Sequence, residues 1–153
     1  MKTAFIIISI LIGISIALLI AFGKYSQKGQ PTGLVDGSLS KCSDKPNCVC
    51  SEFKNDIEHY IEPVTNAQNN RLDGISKAVA IIKQMNGVIS SQTESYISAT
   101  FTSTIFGFVD DFEIRIDPVL GIMHFRSASR VGHSDGGVNR KRIESFIQLY
   151  RDQ

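Results

Sequence analysis

The feature that most limits what this chain can become is an uncharged run from Thr3 to Gly23, in which Phe5 to Phe22 is almost wholly Ile, Leu, Ala and Phe. A helix of roughly 20 such residues spans the hydrocarbon core of a bilayer. Two readings fit: an uncleaved anchor, or a signal peptide with Ala21 and Gly23 as the small residues before the cut. The apolar part exceeds a usual signal-peptide core, which favours the anchor, residues 1–24. No lipoprotein signal is present, since the first cysteine after the run is Cys42. Lys2 and the amino terminus favour a cytoplasmic start, while Lys24 and Lys28 weaken the charge asymmetry.

Residues 25–40 mix Gly, Ser, Gln and Lys around Pro31 without periodicity, the composition of a flexible tether. The remainder, 41–153, is enough for one domain. From Gly29 onward there are 13 Lys and Arg against 15 Asp and Glu, although the last quarter is basic. A nucleic-acid binder would be basic throughout, so no nucleic-acid partner is expected.

All three cysteines lie in KCSDKPNCVCSE, residues 41–52. The turn-forming Ser-Asp-Lys-Pro-Asn brings Cys42 and Cys48 within bridging reach, and a loop this short stabilises by roughly 2 kcal/mol. Cys48 and Cys50 are too close to bridge, which leaves Cys50 over. A zinc site recruiting His59 is the competing reading, but CxxxxxCxC is not a structural-zinc spacing. A bridge implies an oxidising compartment and a domain outside the cytoplasm.

Beyond Pro63, Leu72, Ile75, Val79 and Ile82 recur at helical spacing, with Asn70 as a cap and Asn86-Gly87 as a stop, which predicts a helix over 71–86. The period then changes to two. A short strand is expected over Val88 to Gln92 and a longer one from Tyr96 to Ile105, with Ile97, Ala99 and Phe101 inward and Ser98, Thr100 and Thr102 on a wet face. Phe112, Ile114 and Ile116 alternate with Asp111, Glu113, Arg115 and Asp117 before a Pro118 to Gly121 turn. With those four residues as the loop, Ile116 faces Met123, Ile114 faces Phe125 and Phe112 faces Ser127. Glu113 then lies opposite Arg126, and Arg115 opposite His124, on the solvent side, which makes Arg126 and Glu113 a cross-strand ion pair of the kind worth little at a surface.

The segment 126–142, RSASRVGHSDGGVNRKR, carries five basic side chains, three serines and three glycines with only three apolar residues. It is a site rather than core. A helix follows over 139–151, with Ile143, Phe146, Ile147 and Tyr150 on one face. Its first turn holds Arg140, Lys141 and Arg142, where the helix dipole disfavours cations by about 0.3–1 kcal/mol each. Such a violation calls for compensation, either by a bound anion or by Asp135, Asp110 and Asp111 folding against it.

The boxes CSDKPNCVCS, DDFEIRID and RSASRVGHSDGGVNRKRIE resemble the family of bacterial and plastid proteins catalogued as domain of unknown function 1499, over roughly the whole domain after residue 38. That family's pattern has a PNCVSS box and an RSxSRxGxxDxGxNRxRI box. Arg126, Ser127, Ser129, Arg130, Gly132, Asp135, Gly137, Asn139, Arg140 and Arg142 fall on marked positions of the second. In the first box Ser51 matches the second serine, but Cys50 replaces the first. The family brings no established activity; the resemblance implies that the loop is a shared feature.

Ser127 or Ser129 with His133 and Asp135 supplies the parts of a triad, without the GxSxG elbow that presents a nucleophile. His124, His133 and Asp135 lack metal-motif spacing. No cofactor or metal is expected. The sequence thus predicts an α+β protein, a single-pass membrane helix followed by an antiparallel sheet of about four strands with two helices on one face. As a function it predicts a non-catalytic extracytoplasmic module binding an anionic small molecule or lipid head group through Arg126, Ser127, Ser129, Arg130, Asp135, Asn139, Arg140 and Arg142. The alternative is a structural or envelope-partner domain whose arginines are internal ion pairs with Asp110, Asp111, Glu113 and Asp135; a hydrolase ranks third. Exposure of Arg130, Arg140 and Arg142 separates the first two.

Overall fold

The computed structural model describes residues 1–65 and 71–152. Along the chain run α1 (Lys2–Ser26), β1 (Leu34–Val35), β2 (Ser38–Leu39), β3 (Cys48–Cys50), β4 (Val64–Thr65), α2 (Arg71–Gln84), β5 (Val88–Gln92), β6 (Tyr96–Thr102), β7 (Val109–Asp117), β8 (Ile122–Ser129) and α3 (Val138–Asp152). The α+β class with a leading apolar helix is as expected. Helix α1 is long and apolar enough to cross a membrane, and its side chains stand exposed until Gly23 and Ser26 in the last turn, which are buried.

The main sheet has six strands, not about four, in the order β3-β8-β7-β6-β5, with β4 also pairing β8. The two additional strands are three and two residues long, too short to show an alternation in the sequence. The β7/β8 hairpin has the predicted register: Ile116 opposite Met123, Ile114 opposite Phe125, Phe112 opposite Ser127 and Glu113 opposite Arg126. Asp117 holds its turn by accepting the backbone N–H groups of Val119 and Leu120, both at 2.9 Å. Strand β6 stops at Thr102 rather than reaching Ile105, because Ser103 closes a loop there: its hydroxyl accepts Phe108 N–H and its carbonyl accepts Gly107 N–H.

Helices α2 and α3 cover one face. Asn86, at φ 64°, ends α2, with Gly87 N–H returning to Ile82 O and Asn86 N–H to Lys83 O, the paired bonds that close a left-handed cap. The expected N-cap Asn70 lies outside the described residues. Beneath the helices Phe112 and Phe125 each lie 5.5 Å from the Phe146 ring, amid Ile81, Ile82, Ile97 and Ile143, all fully buried. Each such side chain contributes about 1.5–3 kcal/mol.

The opposite face was expected to be wet, and this is corrected: Ser98 and Glu113 are 1% and 0% exposed, and Asp111 and Arg126 are also buried. Residues 33–42 lie across it and run on towards edge strand β3, with Phe53 beyond that strand. Leu39, the Cys42–Cys48 disulfide, Cys50 and Phe53 gather with Tyr96 and Ala128 into a second small core. Part of the stretch read as a tether thus touches the sheet: the Ser26 hydroxyl accepts Val109 N–H at 3.0 Å, and Gly33 N–H donates to Glu113 Oε1 at 2.9 Å. Alternation in sequence reports polarity, and here polarity is matched by paired charges rather than by water.

Candidate functional site

Strand β8 alternates, so the basic segment is divided at its root. Arg126 and Arg130 lie on the face covered by residues 33–42, whereas Ser127 and Ser129 lie on the α3 side. The eight predicted ligands therefore do not converge on one pocket.

On the first face, Arg126 Nη1 donates to Glu113 Oε2 at 2.8 Å, while Glu113 Oε1 accepts the Tyr96 hydroxyl at 2.7 Å and Gly33 N–H at 2.9 Å. Both carboxylate oxygens are used, and the proximity of Glu113, after burial, raises the Tyr96 phenol well above its ordinary pKa. Arg126 is hence a buried partner, not the surface pair expected. Arg130 forks onto Asp111 through Nε and Nη2, at 3.0 and 2.7 Å, and its Nη1 donates to Ser26 O at 3.2 Å. That last bond falls on a carbonyl at the end of α1 that also accepts Gly29 N–H at 3.2 Å, where the helix dipole favours a cation.

On the second face Asn139 is wholly buried and is the hub. Its Nδ2 donates to Asn47 O and Ser129 Oγ, both at 3.0 Å, and its Oδ1 accepts Ser127 Oγ and Arg142 Nη1, both at 2.6 Å. Those four bonds complete the amide. Arg142 Nη2 reaches Asp110 at 2.7 Å, and its guanidinium lies 4.6 Å over the Phe101 ring. Asp135 folds back on the start of α3, taking Gly137 N–H at 3.0 Å and Asn139 N–H at 2.7 Å. Gly136 and Gly137, both at positive φ, permit that tight approach. Of the two compensations for the cationic helix start, the internal one is present. Side chains of Arg126, Arg130 and Arg142 are only 10%, 10% and 9% exposed. Arg140 differs: its Nη2 donates to the carbonyl of Glu58 at 3.1 Å, and it remains partly open to solvent.

The triad components are not assembled, since both serine hydroxyls bond Asn139 and His133 lies exposed in the loop. His124 instead meets Ser51, whose hydroxyl accepts Phe125 N–H at 2.8 Å and stands 3.2 Å from His124 Nδ1. Burial pushes the His124 pKa down, which favours the neutral ring. His59 is tied to Lys45 O and Asp56, away from any cysteine ligation. Among the described residues no three His, Cys, Asp or Glu side chains are grouped to hold a metal. Cys42 and Cys48 are bridged, Cys50 is free, and burial pushes its thiol up to about 11, which leaves it protonated and inert at neutral pH. Sequence reasoning missed Tyr96, Ser26, Gly33, Asn47 and Phe101 as partners; each is an ordinary residue whose role exists only once the elements meet.

The site thus defines a class, an α+β domain in which Arg126, Arg130 and Arg142 are paired with internal carboxylates. The chain belongs to the family described as protein of unknown function (DUF1499), which it matches over residues 38–149. No curated protein matches it.

Proposed function

We propose that the chain is a single-pass membrane protein whose extracytoplasmic domain is a non-catalytic module for an envelope partner, with Arg126, Arg130 and Arg142 as internal struts. The observation that carries this reading is the double grip of Arg130, on Asp111 of β7 and on Ser26 O at the end of α1. One guanidinium joins the apolar helix to the sheet, as a domain held rigidly at its anchor requires. The disulfide supports the extracytoplasmic side. An uncleaved anchor is supported by Gly23, where a Cβ would collide with the Phe106 carbonyl, so helix and domain backbones are in contact.

Arg140 favours a second, narrower reading. It has a carbonyl partner in place of a carboxylate, and with Lys141 it keeps a cationic corner at the start of α3 for an anionic small molecule or lipid head group. Thermal unfolding of the full chain, of Arg130→Ala, of Arg140→Ala and of Asp135→Asn separates the two, with and without phosphate or anionic lipid head groups at fixed ionic strength. The strut reading expects Arg130→Ala to lose about 3 kcal/mol, Asp135→Asn to lose stability through the helix start, and no anion-dependent shift. An anion-dependent rise in the wild type, abolished by Arg140→Ala and enhanced by Asp135→Asn, overturns it in favour of ligand binding.

A further inference from the structure

Residues 103–108, between β6 and β7, are fastened to the last turn of α1. Gly23 meets the Phe106 carbonyl, Gln27 Nε2 donates to Gly107 O at 3.2 Å, and the Ser26 hydroxyl accepts Val109 N–H at 3.0 Å. The tip of this loop is apolar: Ile105 is 82% exposed, next to Phe106, whose ring packs edge-on against Phe108.

Depth follows from length. Phe5 to Phe22 is 18 residues, about 27 Å of helix, close to the roughly 30 Å of a hydrocarbon core. Gly23 then falls where acyl chains meet head groups, and the loop that touches Gly23 shares that level. Its neighbours have the composition of such a boundary, with Tyr25 67% exposed and Lys24 and Lys28 beside it. A cleft of about 250 Å³ lined by Tyr25, Lys28 and Arg130 opens there too.

We propose that the Ile105-Phe106 tip enters the head-group boundary of the leaflet from which α1 emerges, giving the domain a second, non-covalent contact with the lipid surface. This rests on α1 being an anchor. A helix alone leaves a domain free to swivel; a helix and an inserted loop, tied together at Gly23, Ser26 and Gln27, fix its orientation to the membrane plane.

The chain contains no tryptophan, so Ile105→Trp and Phe22→Trp each provide a sole reporter in the full-length protein. Both are reconstituted in phosphatidylcholine–phosphatidylglycerol vesicles carrying acyl chains brominated near the head group or near the methyl end. The expected result is blue-shifted emission from both, with Ile105→Trp quenched more by the shallow bromines than by the deep ones. Quenching of Phe22→Trp together with water-like, unquenched emission from Ile105→Trp overturns the loop contact while the anchor stands. If Phe22→Trp also escapes quenching, the anchor reading itself falls and takes the loop contact with it.

Discussion

Under α2 and α3 the sheet presents Phe112, Ile114, Met123 and Phe125, whereas under residues 33–42 it presents Asp111, Glu113 and Arg126, with Arg130 just past the end of β8. Both faces exclude water, but they answer to different physics. Apolar burial is non-directional, and a core tolerates side chains of similar volume. Buried charges are stabilising only if every atom meets its partner, because the low dielectric that strengthens a satisfied pair also magnifies the cost of an unsatisfied one. Glu113 shows the requirement plainly, with one oxygen for Arg126 and the other shared by Tyr96 and Gly33.

Conservative substitutions probe that difference most sharply. Met123→Leu on the apolar face should cost less than about 1.5 kcal/mol. Glu113→Gln, equally conservative in shape, removes the charge that Arg126 faces, and should cost about 3–5 kcal/mol. Urea unfolding of both variants measures the contrast. Equal losses would mean that the polar face is held by packing alone.

The same contrast explains what was legible. Alternation over residues 111–127 gave the hairpin register, its turn and its inward side chains, because a one-residue slip would have put Phe112, Ile114 and Phe125 outside. The helices followed from their apolar spacing and the Asn86-Gly87 stop. The dryness of the other face was not legible, since Ser98, Glu113 and Arg126 have the same letters whether they face water or a cover. The cover itself, residues 33–42, carries little periodicity and is recognisable only by what it touches. For the basic segment, the sequence supplied the strain at the start of α3 and named Asp110, Asp111, Glu113 and Asp135 as one possible remedy. It could not reveal that β8 sends Arg126 and Arg130 to one side and Ser127 and Ser129 to the other.

The cover is stapled by Cys42–Cys48, whose Cα atoms are 5.6 Å apart, six residues along the chain. Opening so short a loop removes about 2 kcal/mol. The loss should be local. Hydrogen exchange of the protein with Cys42 and Cys48 both replaced by Ser should quicken at Gly33 and Cys50, whose N–H groups bond Glu113 and His59 O, and leave α3 protected. Uniform quickening across both faces would show that the two layers unfold as one unit.

The smallest expected effect is a gain. Cys50 lies directly opposite Arg126 across the β3/β8 pair, so their side chains leave the sheet on the same face with Cβ atoms about 5 Å apart. Among the described residues Arg126 Nε is the one buried side-chain nitrogen or oxygen for which no hydrogen-bond partner is found. The neighbouring thiol is a weak acceptor, whereas a serine hydroxyl is a good one and nearly the same size. A hydrogen bond to a charged donor contributes about 1.5–3 kcal/mol, from which burying a hydroxyl in place of a thiol subtracts roughly 1 kcal/mol. Cys50→Ser should therefore raise stability by about 1 kcal/mol, a rise of a few degrees in Tm, and it restores the PNCVSS form of the first box. Cys50→Ala supplies the control, since it removes the thiol without adding an acceptor and should lower Tm. If Ser and Ala at this position behave alike, Arg126 Nε is satisfied in some other way and the polar face has no vacancy to fill.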